Sequence, residues 1–434
     1  MRQAKHTCGR AVTAGKFGNR DSDTPVRPVP ARPSWSRRAL AMGFVLALSH
    51  CANWKNEPVD YTLLLLFSGA ACSLTPQQLI QPANASVFLS YLRQQAAAGG
   101  GTASTSTIGG LTGAGNFDYQ GGALAEDGRI VVVPGNEGNG VILTPSTGTF
   151  ETTTLAGVGG SVAYWGAVRA FDGRIFGIPR SSANVLIFDP VANSVDTTSI
   201  SALPGSQRNY GGVLAPNGKI YGIPFDATYV LIIDPTTDTA DTTSMTGLAG
   251  TAKWSGGVLA PNGRIYGIPH TATSVLIIDP ETNTYDTTTL TVPAGGGKWY
   301  GGVLGPDGKI YGMPHNYGAV LVIDPIQNAV DYTTFTVPAG SNRFMGGVLA
   351  PNGRIYGIPR DAAYILQIDV LNGTVDTSSL AVAGTLAKWL GGVMGMDNRI
   401  YGLPCSSNSF LKLDHASNAS FCNSVLLSGY FSHF

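Results

Sequence analysis

One spacing constrains this chain more than any other feature. A basic residue follows a tight turn at Arg129, Arg174, Lys219, Arg264, Lys309, Arg354 and Arg399, and successive members lie 45 residues apart. Seven copies in one register, with no insertion, require an array of one supersecondary unit whose apolar faces are covered by its neighbours.

The unit reads as four short antiparallel strands. In the copy that begins at Lys253, the apolar run KWSGGVLA is closed by Pro261-Asn262-Gly263, and the Asn-Gly pair suits the positive φ of a two-residue hairpin. RIYGIP is the second strand, SVLIID the third and, after the turn Pro280-Glu281-Thr282-Asn283, the Thr-rich TYDTTTL is the fourth. The third strand is so uniformly apolar that both of its faces must be buried, which demands blades wedged between blades. Glycine pairs in the first strand (Gly211-Gly212, Gly256-Gly257, Gly301-Gly302, Gly346-Gly347, Gly391-Gly392) mark where innermost strands converge and side chains would collide. The expected fold is all-β: a seven-bladed β-propeller of four-stranded antiparallel blades over residues 111–434, each blade drawn from contiguous sequence.

The words NG-[RK]-IYG-[IM]-P and VLIIDP make residues 119 to about 430 resemble bacterial secreted and lipoprotein β-propeller repeat proteins. The resemblance implies the fold. It implies no single activity, since such families include binding modules and a minority of lyases and lactonases.

Charge is distributed unevenly. Residues 1–38 carry nine Lys or Arg against Asp21 and Asp23, and the rest of the chain has 18 basic against 25 acidic residues. An acidic body argues against a nucleic-acid partner, whose phosphates need a basic footprint. Arg37-Arg38 precede ALAMGFVLAL, a run too short to span a bilayer but sized for the core of a signal peptide. Leu48-Ser49-His50-Cys51 then resembles a loose lipobox, with Ser68-Gly69-Ala70-Ala71-Cys72 as the alternative. The N-terminal organisation expected is a targeting segment over 1–51, followed by a tether over 52–110 with a short helix, SVFLSYLRQQAAA, and a flexible linker that includes Ser104–Gly110. Export to the cell envelope with a lipid anchor, or secretion, follows from this reading, as does a monomer. Cys405 and Cys422 fall in the last repeat, where an intrablade disulfide is open, and no cysteine or histidine spacing is of metal-binding type.

Strict register turns each repeat position into a ring. The basic anchors should pair within their blades with Asp189, Asp234, Asp279, Asp324, Asp369 and Asp414; Thr144 takes this place in the first copy, so Arg129 should lack the pair. Glu151, Asp196, Asp241, Asp286, Asp331 and Asp376 read as solvated edge charges, a whole blade apart and unable to share a cation. Neither metal nor cofactor is expected.

First strands begin and second strands end on one rim, which brings three further rings together. One is Tyr119, Tyr164, Asn209, Trp254, Trp299, Phe344 and Trp389; the residues before them are Asp118, Ala163, Arg208, Lys253, Lys298, Arg343 and Lys388; and Gly135, Arg180, Phe225, His270, His315, Arg360 and Cys405 follow the second strands. The plain reading is interblade packing for the aromatics and solvated charge for the cations. The functional reading is a recognition basket for a glycan or protein ligand, in which Trp254, Trp299, Phe344, Trp389 and Phe225 stack on rings. Arg180, Arg208, Lys253, Lys298, Arg343, Arg360 and Lys388 would hold carboxylate or sulfate. A rival class is a lyase or lactonase-like hydrolase using His270 or His315 as general base, opposed by the scarcity of rim carboxylates, Glu137, Asp226 and Asp361. A third is a rigid scaffold.

Overall fold

The computed structural model describes Gln81 and residues 103–111, 118–205, 208–384 and 386–415. Among these, 28 strands and no helix form seven four-stranded antiparallel sheets. Blades are numbered here 1 to 7 along the chain and strands A to D outward from the axis. In blade 4 these are Trp254–Leu259, Ile265–Pro269, Leu276–Asp279 and Thr284–Asp286, paired in that order.

The A–B hairpin differs from the two-residue turn expected. Ala260 N–H bonds Arg264 O at 2.8 Å and Gly263 N–H bonds Ala260 O at 3.0 Å, with positive φ at Gly263 alone (φ 80). Pro261 fixes a negative φ, so the loop is Pro-Asn-Gly, a type I turn closed by a left-handed glycine. Strand D is also shorter than TYDTTTL. The Asp286 carboxylate accepts the N–H groups of Thr288 (2.6 Å) and Thr289 (3.3 Å), turning the chain out of the sheet; pairing resumes only as a single bridge, Ser274 to Thr291. Asp196, Asp241, Asp331 and Asp376 do the same in their blades. These solvated edge carboxylates thus also terminate their strands.

Wedging of blades is visible in strand C, where Val275, Leu276, Ile277 and Ile278 are all buried. The glycine pairs meet their steric role. A Cβ on Gly256 would stand 2.9 Å from Gly301 Cα of the next blade, and one on Gly257 would stand 2.5 Å from Ile223 Cδ1 of the previous blade. Each strand A also carries a β-bulge: Trp254 pairs Pro269, whereas Gly257 pairs Gly267, so one extra residue sits between them.

The ring closes in a way the contiguous-blade expectation missed. Blade 7 supplies strands Trp389–Met394, Ile400–Pro404 and Ser409–Asp414, but its outer strand is Ser104–Gly109, paired from Ser104 with Asp414 to Gly109 with Ser409. The segment read as linker is therefore part of the propeller, which starts before residue 111. Its run of Ser and Thr suits an outer strand open to water on both faces, and joining residues 104–109 to 409–414 in one sheet closes the circle. Cys422, expected in that outer position, lies outside the described residues, as do Cys51, Cys72 and the helix SVFLSYLRQQAAA.

At the end of the A–B turns, five basic anchors make the intrablade pair expected: Lys219–Asp234 (3.5 Å), Arg264–Asp279 (3.1 Å), Lys309–Asp324 (3.3 Å), Arg354–Asp369 (3.3 Å) and Arg399–Asp414 (3.2 Å). Arg129 and Arg174 instead cross to the next blade. Arg129 reaches Asn193 and Pro190 O, and Arg174 reaches Asp238 and Pro235 O rather than Asp189. In blade 1 Thr144 stands where the other blades have the strand C aspartate, so Arg129 lacks the intrablade partner, as the sequence implies. In blades 3, 4 and 6 the link to the next blade is made by Asn217, Asn262 and Asn352, which donate an amide hydrogen to the Pro280, Pro325 and His415 carbonyls. Arg174 makes that link in blade 2, where Asp172 cannot donate; Asp307 and Asp397 hold the same turn position in blades 5 and 7, whose anchors keep their intrablade pairs.

Candidate binding site at the axial mouth

The opposite end of the blades is knit by a closed ring of backbone hydrogen bonds. The residue before each strand A donates its N–H to the carbonyl of the residue after strand B in the preceding blade. The seven links are Asp118 to Cys405, Ala163 to Gly135, Arg208 to Arg180, Lys253 to Phe225, Lys298 to His270, Arg343 to His315 and Lys388 to Arg360, all between 2.9 and 3.1 Å. Two of the three rings predicted for the rim are thus joined into one collar.

The cations of that collar do not stand free on a rim. Arg208, Lys253, Lys298, Arg343 and Lys388 are all buried. Lys253 Nζ donates to the carbonyls of Phe225 (3.1 Å), Ala227 (2.9 Å) and Gly250 (2.8 Å), and Lys298 repeats the pattern on His270, Ala272 and Gly295. Arg208 reaches Ser182 and Leu203 carbonyls, and Arg343 those of Tyr317 and Pro338. Each of these four cations staples its blade to the one before. Burial pulls the Lys253 and Lys298 ammonium groups down to about 8, a mark of charge held by neutral carbonyls in a dry place.

The aromatic ring is likewise turned inward. Trp254, Trp299, Phe344 and Trp389 are buried, and the indole N–H groups donate to Ser274 (2.8 Å), Ala319 (2.8 Å) and Ser409 (2.9 Å) carbonyls of their own blades. Packing, not a recognition basket, accounts for these four side chains.

What faces the axis is the next residue of strand A, set there by the bulge: Gln120, Trp165, Tyr210, Ser255, Tyr300, Met345 and Leu390. Rings of blades 2 and 5, Trp165 and Tyr300, approach to 6.2 Å, which only residues reaching across the axis can do. With the third predicted ring they form one cluster. Trp165 stacks on Tyr210 at 4.1 Å and Tyr210 on Phe225 at 3.6 Å; Phe225 leads to His270 (5.3 Å), and His270 to Tyr300 (5.7 Å) and His315 (5.8 Å). Arg180 lies 4.9 Å from the Trp165 ring and 5.1 Å from the Tyr210 ring. Phe225, His270, Arg180 and Arg360 are only partly covered, and His315, Cys405 and Gly135 are buried among them.

The electrostatics of this cluster follow from burial. Desolvation lowers His270 to about 4 and His315 to about 3, the latter helped by its neighbour His270, so both imidazoles are neutral at pH 7. Burial raises the Tyr210 phenol to about 12. Arg360 pairs with Asp361 at 2.9 Å, and the carboxylates of Asp226 and Asp361 each accept a backbone N–H, from Ala252 and Ala387, at 2.6 Å. His315 Nε2 and both side-chain polar atoms of Gln120 are buried without a hydrogen-bond partner. No group of three or more His, Cys, Asp or Glu with metal-holding geometry occurs among the described residues.

The axial position was legible in principle. Within strands A that otherwise repeat, YQGG, YWGA, NYGG, WSGG, WYGG, FMGG and WLGG, the second residue varies most freely in chemistry.

Residues 215–388 match the model of a family described as a repeat of unknown function, DUF6923. No curated protein matches the sequence. Among solved structures, the chain is similar to a streptogramin B lyase (14% identity, TM-score 0.58, covering 72% of this chain and 97% of that one). It is similar too to a catalytically inactive virginiamycin B lyase from Staphylococcus aureus with quinupristin (14%, TM-score 0.59, 72% and 99%). An extracellular domain assigned to a one component system of B. thetaiotaomicron aligns at 10% identity and TM-score 0.54, over 71% of this chain and 42% of the other. At such identities the likeness is one of fold.

Proposed function

We propose that this protein is an exported binding module of the bacterial cell envelope, lipid-anchored at Cys51 or alternatively Cys72, whose ligand seats in the axial mouth. The observation that carries the reading is the cluster of Arg180, Trp165, Tyr210, Phe225, His270, Tyr300 and His315: a polarisable floor, partly open, assembled from positions that depart from the repeat. Export is supported by the basic, then apolar, then cysteine-bearing N-terminus, and by the likeness in fold to an extracellular domain. The test is binding of the full chain to glycan and peptide arrays. Arg180→Ala and Phe225→Ala should each weaken captured binding at least tenfold, while Lys219→Ala at the other end leaves it intact. Undiminished binding by both mouth variants, in protein with a normal melting curve, removes the mouth as the site.

A second reading, catalysis, is favoured by the His270–His315 pair, two imidazoles side by side on neighbouring blades, and by the lyases of similar fold; burial, which lowers both imidazoles, weakens them as bases and is why this reading stands second. Chromatographic loss of quinupristin that disappears in His270→Ala and His315→Ala would establish it. Loss that persists in both variants would assign the reaction elsewhere.

A further inference from the structure

Resting on the mouth as a ligand site, we propose that the group it receives is a planar aromatic bearing an anionic substituent, a carboxylate or a sulfonate. The charge count at this end of the blades is one-sided. The five buried cations of the collar, with Arg180 and Arg360, face only four carboxylates, Asp118, Glu137, Asp226 and Asp361, and both imidazoles are neutral. The mouth therefore holds an excess of three positive charges. The rest of residues 104–434 carries nine cations against nineteen carboxylates. An anion meets attraction at the mouth and repulsion over the remainder of the propeller, and the low-dielectric walls around the collar concentrate that field.

Local chemistry agrees. Among the described residues no carboxylate lies within ion-pair reach of Arg180; its guanidinium carbon lies 4.9 Å from the centre of the Trp165 ring and 5.1 Å from that of Tyr210, and its buried Nε has no acceptor. A cation pinned over aromatic faces presents its N–H edge as a fork for an oxyanion. Beside it, half-buried Phe225 continues the Trp165–Tyr210 stack and is met by the His270 ring at a tilt (5.3 Å, 55°) rather than by a further stacked ring, which suits a planar group. Gln120, at the ring position of Trp165 and Tyr210 and fully buried with its amide unpartnered, and the buried His315 Nε2 supply hydrogen-bonding ends. Aromatic stack, guanidinium and unpaired polar atoms belong to one end of the propeller. None of it depends on which molecule in nature bears the group.

The test uses three probes of one shape, 2-naphthoate, naphthalene-2-sulfonate and the neutral 2-naphthamide, titrated into the full chain by ligand-observed NMR. The two anions should bind at least tenfold more tightly than the amide, with affinity falling as salt is raised. Arg180→Gln should abolish the difference while leaving the amide within twofold, and Phe225→Ala should weaken all three. Equal affinity for the three probes, or an anion preference that survives in Arg180→Gln, overturns the charge assignment and leaves the mouth as a site if Phe225→Ala still weakens binding. Binding of none of the probes, or binding indifferent to both substitutions, overturns the assignment together with the site.

Discussion

The tightest claim about the hub concerns Gly256. Its φ is +73 and an added Cβ would lie 2.9 Å from the backbone of Gly301 in the neighbouring blade. Gly256→Ala thus incurs two penalties. Placing an L-residue in the left-handed region costs about 1–2 kcal/mol, and forcing a methyl against backbone that cannot retreat adds about 1–3 kcal/mol. The first penalty can be measured alone. Gly148, in the outer turn of blade 1, has φ +69 and nothing within 4 Å of its added Cβ. Urea titration should therefore show Gly148→Ala losing about 1–2 kcal/mol and Gly256→Ala about 2–5 kcal/mol, at unchanged slope. Gly121→Ala, whose Cβ would stand 2.7 Å from Gly166 Cα, should match the larger loss. Equal losses for Gly148→Ala and Gly256→Ala would refute strand convergence as the reason for the glycine pairs.

Removing residues up to 110 takes away the outer strand of blade 7, and thermal denaturation should fall by several degrees, with partial recovery when a peptide carrying STSTIG is added in trans; an unchanged melt would show that this strand does not clasp the ring. Lys253→Met leaves the Phe225, Ala227 and Gly250 carbonyls without their shared donor, and should cost about 2–4 kcal/mol in urea unfolding. The same lysine, with Lys298, has a folded-state value of about 8, below the 10.5 of an unfolded lysine. The unfolded chain then binds more protons between these values, so wild-type stability should rise from pH 8 toward pH 9.5, a gain that Lys253→Met reduces. Asp196 and Asp376 are held at about 2, below the usual 3.8, chiefly by the hydroxyls of Ser199 and Ser379. Their contribution is complete above pH 4 and lost as the pH falls to 2, and Asp196→Asn with Asp376→Asn should flatten the acid limb of the stability profile.

Much of the blade was legible along the chain because its determinants are local. Proline and glycine punctuate the A–B turn, the aliphatic run of strand C can only be buried, and the glycine pairs mark close backbone approach. Strand D was over-read, since a Thr-rich run looks extended until Asp286 captures the N–H groups beyond it. The site was half legible. Arg180, Phe225, His270, His315 and Arg360 do gather at the mouth, whereas Trp254, Trp299, Phe344 and Trp389, chosen for their chemistry, are turned into their own blades. The bulge explains the difference: one extra residue in strand A breaks the two-residue alternation, so a rule of alternating faces cannot tell which aromatic meets the axis.

The sequence by itself determined the number of units, the strands within each, and the burial that wedges one blade against the next, because each of these is set by residues a few positions apart and repeated seven times. Only the tertiary structure decided three things. Ser104–Gly109 completes blade 7, the collar cations serve neighbouring carbonyls, and Trp165, Tyr210, Phe225, His270 and Tyr300 share one axis. Those contacts join residues from different blades or from opposite ends of the propeller, and they come into being when the circle closes.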